Sequence, residues 1–173
     1  MTFNFKDHAR FELERTRWLT EQHLDRLEKE DDWFYQPHPQ ANHAAWVAGH
    51  LGLADNRFTS RFRPDYADDR PDWHERLWFG SEISGDKSLF PAITELRSYM
   101  RDRRETLLKV LDEATDEELA ADAPPPDAFG PLAGAPCIGH AFLFIARHES
   151  IHFGQLSVAS RGLGLAPLFS PNG

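Results

Sequence analysis

The chain has 173 residues, a length that suits one domain burying roughly 70% of its unfolded surface, and we expect a single domain over 1–173. Its formal charge of -9 leaves no basic field to hold phosphates, which argues against nucleic acid or an anionic membrane as the main partner and favours a small molecule. Cys137 is the only cysteine, so intrachain disulfides and cysteine-rich zinc sites are excluded. With no apolar leader and no run of about 20 apolar residues, the chain reads as soluble and cytoplasmic.

Helical periodicity predicts a first helix over 5–31, with Ala9, Leu13, Thr16, Thr20, Leu24 and Leu27 on one stripe. A second follows "QPHPQAN", with Asn42 as its expected N-cap, and runs to Phe62 before Pro64. Gly49 and Gly52 weaken its propensity and suit close packing. Residues 64–90 then form a long connection carrying Tyr66, Trp73, Trp78, Phe79 and Phe90, either an anchored crossover or a lid over a pocket.

The third helix is expected from Pro91, with Ile93, Leu96, Met100, Leu107, Val110 and Leu111 in its apolar band, ending at Ala114 and "TDEEL". "ADAPPPDAFGPLAGAP" reads as a stiff connector. The fourth helix begins between Pro136 and Gly139 and ends where Gly162 and Gly164 offer left-handed positions. Four long helices without strands predict an all-α fold, an antiparallel four-helix bundle with a long aromatic-rich loop between its second and third helices.

The fourth helix contains "RHESIHFGQ", which formally satisfies the H-E-x-x-H pattern of zinc proteases. Residues four apart on a helix differ by about 40° and about 6 Å, so His148 and His152 project together, as two ligands of one ion must. They share their face with Ala141, Phe144, Ile145 and Gln155, the stripe expected to face the interior. A zincin needs a third ligand downstream, yet residues 153–173 contain no Asp, Glu or His. The best third ligand is His50, on the apolar second helix beside Trp46, Leu53 and Ala54. One histidine there and the i,i+4 pair opposite make a three-nitrogen site with open coordination positions.

The combination of "VAGHLGLADNRF" with "RHESIHFGQLSVASRGLG" about a hundred residues later is similar to the DinB/YfiT-like superfamily, close to its DinB-2 type. The resemblance spans nearly the whole chain. It implies a four-helix bundle, commonly a homodimer, in which a histidine of the second helix and an H-x-x-x-H-x-G-Q pair of the fourth bind a divalent metal. His50, His148 and His152 fall on those positions, with Gly154 and Gln155 completing the motif; Phe153 stands where relatives often carry a basic residue. Relatives include enzymes that move low-molecular-weight thiols onto electrophiles, so the resemblance implies a metal-dependent thiol transferase.

Zinc, nickel and iron all suit three histidines. Hydrolysis by metal-activated water is the alternative reaction, and a noncatalytic metal- or ligand-binding protein the alternative class. Glu149 is the candidate general base or a hydrogen-bond partner of a metal ligand, with a subunit contact or a solvated face as its plainer role. Gln155 is expected to orient a ligand or water, or to bond between helices. His43, two turns before His50, either lines the pocket with Trp46 or is an exposed helix-start histidine. Cys137 reads as a buried small residue, and His8, His23, His38, His74 and His140 receive no function. "EKEDD" and "TDEEL" read as solvated helix ends.

Overall fold

In a computed structural model, residues 4–123 and 135–169 are described, and among them the fold is all-α with no strand. The helices are α1 (Phe5–Leu24), α2 (Glu30–Trp33), α3 (Ala44–Phe62), α4 (Pro71–Leu77), α5 (Ile93–Glu113), α6 (Asp116–Ala120) and α7 (Ile138–Gly162). Most of the expected stiff connector lies outside the described residues.

The first helix is shorter than its apolar stripe predicts. It stops at Leu24, and the chain turns so that the Trp33 indole donates to the Leu27 carbonyl at 3.2 Å. The acidic run decides this, because carboxylates destabilise a helix C-terminus and stabilise an N-terminus. Glu30, Asp31 and Asp32 accordingly form the first turn of α2, and Asp32 accepts from the Lys29 amide at 3.1 Å. "TDEEL" likewise starts a helix rather than ending one: Thr115 and Glu118 form a reciprocal capping box on α6. Helix α5 begins at Ile93, two residues after Pro91, and at the end of α7 only Gly164 takes a left-handed φ, +81°.

The strictly antiparallel arrangement expected from sequence does not hold. Phe5 lies beside Gly139, Arg17 beside Glu149 and His23 beside Ser160, so α1 and α7 run parallel. Gly49 faces Leu96, Gly52 faces Met100 and Asp55 bonds Arg104, so α3 and α5 also run parallel. Across the two pairs the directions oppose: Leu13 meets Arg104 while Glu21 meets Arg101, and Asn42 meets Gln155 while Phe58 meets Phe142. Parallel neighbours need a connection that travels back along a helix, about 28 Å for 19 residues at 1.5 Å each. The 64–90 segment is that crossover. It includes α4, which packs on α3 and buries Trp73 and Leu77, while Phe79 stays 75% exposed. The contact of α3 with α5 is close enough that a Cβ on Gly52 would meet the Tyr99 ring at 2.6 Å.

Two apolar clusters fill the interior. One gathers Leu24, Trp33, Trp46, Leu51, Leu77, Leu96, Met100 and Leu156; the other gathers Leu13, Phe58, Leu107, Leu111, Phe142 and Ile145. Four buried charges, one from each long helix, meet in the same interior. Arg17 donates from Nε to Glu149 Oε1 at 2.8 Å and from Nη2 to Asp55 Oδ2 at 3.0 Å. Arg104 donates to Asp55 at 2.8 and 3.1 Å and lies 2.6 Å from Glu149 Oε2. Their remaining nitrogens are satisfied by main-chain carbonyls of Met100 and Leu13. The quartet is neutral as a whole, which makes its burial tolerable.

Removing one member strands an opposite charge in an apolar interior. Arg104→Ala is expected to cost about 3–5 kcal/mol in the free energy of urea unfolding, measured on metal-free protein so that ion binding does not contribute.

Candidate metal centre

Three imidazoles meet where α3 and α7 pack against each other. His148 Nε2 lies 3.1 Å from His50 Nε2 and 3.1 Å from His152 Nε2, and one ligand atom from each residue falls within 4.8 Å of the others. Two nitrogens 3.1 Å apart subtend about 95° at an ion with bonds of about 2.1 Å, so one divalent cation can touch all three. His50 and His152 are 4% and 6% exposed, and His148 is half-buried, so solvent approaches from the His148 side.

The outer nitrogens of the two buried ligands are already engaged. His50 Nδ1 donates to the Leu77 carbonyl at 3.0 Å, and His152 Nδ1 donates to Gln155 Oε1 at 3.0 Å. Each of these bonds places the proton on Nδ1 and leaves the Nε2 lone pair facing the centre. Burial also keeps the rings neutral. It pushes His50 well below the ordinary histidine range, with His152 and His148 adding to the effect, and it lowers His148. His152 falls to about 4, through burial first and then through His148. Neutral imidazoles with inward lone pairs are the state that binds a cation.

Aromatic rings wall the centre. Trp46 stacks on His50 with centroids 4.5 Å apart and an interplanar angle of 14°, and lies 5.8 Å from His152. Trp78 lies 5.9 Å from His50, and Phe144 stacks on His148 at 6.2 Å. The crossover is tied to this wall at three places along α3. Ser84 O accepts from His43 Nε2 at 3.1 Å, Ser81 Oγ accepts from Trp46 Nε1 at 3.0 Å, and Leu77 O accepts from His50.

Not every residue singled out in the sequence faces the ligands. Glu149 is fully buried among Arg17, Arg104 and Asp55; burial alone would raise its carboxyl, but Arg104 and Arg17 outweigh it and hold the group at about 2. A carboxylate bonded in this way is committed to the charge quartet, and its complete burial overturns the solvated-face reading. His43 is completely buried, not exposed. It is the N-cap of α3, a place expected for Asn42: its Nδ1 accepts from the Trp46 amide at 3.1 Å, and its ring lies among Phe34 and Phe90. Asn42, one position earlier, instead donates to Gln155 Oε1 at 3.0 Å. Cys137 is half-buried at the N-terminus of α7, with Sγ 2.9 Å from His140 Nδ1, and is remote in sequence and register from the ligands. His23 is buried against Ser160 and Phe153 and is lowered to about 4 by burial and by Arg26.

The matched family model supplies the classification: the DinB superfamily, DinB_2, over residues 12–156. The chain belongs to the DinB superfamily. No curated protein and no solved structure matches it. The matched span contains all three histidines of the cluster as well as the glutamine that holds His152. Sequence reasoning missed the supports of the centre, Asn42, Leu77, Ser81 and Ser84. Two act through main-chain carbonyls, which carry no residue signature, and Asn42 has the composition of a helix cap, so only its distance to Gln155 reveals its use.

The pH response of this DinB protein follows from its buried histidines. His43 and His152 stay neutral in the folded chain down to about 4, whereas the unfolded chain takes up their protons near 6.5. Their folded values are depressed, so their contribution is complete above about 6.5 and is lost as pH falls toward 4. Urea unfolding of chelator-treated protein should lose about 1.4 kcal/mol per pH unit for each such histidine across that window.

Proposed function

We propose that the protein is a divalent-metal-dependent enzyme that joins a low-molecular-weight thiol to an electrophilic small molecule, its metal held by His50, His148 and His152. The observation that carries this reading is the convergence of three Nε2 atoms, with the outer nitrogens of His50 and His152 already bonded. The arrangement of the four long helices supports a four-helix bundle in which α1 and α7 run opposite to α3 and α5. A divalent ion at the centre supplies Lewis acidity and lowers the pKa of a coordinated thiol or water.

Two features favour a thiol over hydrolysis. Glu149, the carboxylate beside the ligand pair, is held by two guanidinium groups and is not free to take a proton from water. The walls are Trp46, Trp78 and Phe144, apolar surfaces that suit a soft sulfur nucleophile better than a hydrated oxygen one. In the reaction a C–S bond forms, the bond to the leaving group of the electrophile breaks, and the thiol proton goes to solvent. His148, the half-buried ligand, lies on the side from which both reactants enter.

Untagged protein purified without nickel resin should carry roughly one zinc, nickel or iron ion per chain by mass spectrometry, and His148→Ala should lose it. The loaded protein, given a panel of small thiols and an aryl chloride, should release chloride in a thiol-dependent manner. Ester hydrolysis without thiol would instead favour the water-activating reaction. A bound ion with neither activity would leave a noncatalytic metal-binding role.

A further inference from the structure

The outer nitrogen of His152 is held by two carboxamides in series. Gln155 Oε1 accepts from His152 Nδ1 at 3.0 Å and from Asn42 Nδ2 at 3.0 Å, so one oxygen serves two donors. A carboxamide turned end for end has nearly the same shape but the opposite hydrogen-bond sense. With its NH2 toward His152, Gln155 would need Nδ1 to accept; the ring proton would then sit on Nε2 and occupy the lone pair that faces the ion. The sense of this chain therefore decides whether the third ligand can bind metal.

We infer that Asn42 is a positioning residue of the metal centre: its NH2 group, by donating to Gln155 Oε1, holds the Gln155 oxygen toward His152 and keeps the tautomer that presents a bare Nε2. The inference rests on the metal-centre reading. Asn42 suits this role because it precedes the N-cap residue, so its side chain is not consumed in ending the helix; His43 does that work. Asn42 and Gln155 both line a cleft of about 220 Å³ with Pro37, Gln40, Ala41 and Val158, which gives side chains at position 42 room without disturbing the core.

The decisive variant is Asn42→Asp, close in shape and unable to donate. Its carboxylate accepts only, so it draws the Gln155 NH2 toward itself or repels the Gln155 oxygen, and either outcome removes the sense that His152 needs. Charge alone predicts the reverse, because an added carboxylate near a cation strengthens binding. The two effects differ in sign.

Zinc affinity would be measured by competition with a chromophoric chelator for wild type, Asn42→Asp, Asn42→Ala and Gln155→Glu. Long-range proton–nitrogen correlation spectra of the zinc-loaded imidazoles would read the tautomer, and thermal unfolding of the apo proteins would test their folds. Asn42→Asp should weaken zinc by about 10–100-fold, the range for residues that orient a metal ligand through hydrogen bonds. Asn42→Ala should lose less. Gln155→Glu, which accepts from both donors, should match or exceed wild type. Equal or tighter binding by Asn42→Asp overturns the inference, as does a Gln155→Glu variant as weak as Asn42→Asp. If Asn42→Asp fails to fold, Asn42→Ala and Gln155→Glu still decide: wild-type affinity in the first, or a loss in the second, overturns it. Wild-type protein that binds no zinc overturns the metal centre itself.

Discussion

Four charges buried between four helices constrain everything else in this molecule. Arg17, Asp55, Arg104 and Glu149 come one each from α1, α3, α5 and α7, and each finds its counter-charges only if the helices sit at one mutual height. An apolar stripe tolerates sliding by a turn, because one leucine replaces another at little cost. A buried guanidinium does not, because a slip leaves it unpaired in a medium that penalises charge heavily. The quartet thereby sets the register at which His50 on α3 meets His148 and His152 on α7, two helices that share few other polar contacts.

The quartet and the metal centre divide the polar interior by chemistry. Glu149 is next to His148 in sequence, yet a step of one residue turns it about 100° around the helix, from the centre toward the arginines. The centre itself is supported by neutral acceptors, the Leu77 carbonyl and the Gln155 amide, which fix ring tautomers without adding negative charge. An ion there keeps more of its Lewis acidity than one backed by carboxylates would. The crossover contributes one of these acceptors, so the segment that returns the chain along α3 also completes the site. That shared duty gives the long connection its physical purpose.

Much of this was legible in sequence. The i,i+4 spacing of His148 and His152 fixes their common face whatever surrounds them, because helix geometry is local. The family motif, with His50 on the second long helix, named the three residues that converge. The all-α class followed from periodicity, and the start of α7 from the Pro136–Gly139 boundary. Errors arose where local signals had two meanings: Leu27 continues the stripe of α1 but belongs to a turn, and the acidic residues that seemed to end helices begin them. His43 resembled a surface histidine because it stands at a helix start, although Phe34 and Phe90, distant in sequence, enclose it.

Local signals in the sequence place the four long helices and their apolar faces, which depend on neighbours within a few turns, and the family motif picks out the three nitrogen donors. Long-range packing decided that α3 and α5 run parallel, that Glu149 turns to Arg17 and Arg104, and that Leu77 and Gln155, the latter bonded by Asn42, hold two of the ligands. Those outcomes depend on which distant groups satisfy one another's hydrogen bonds and charges. Burial makes such pairings obligatory, but residue spacing along one chain does not encode which partner is chosen.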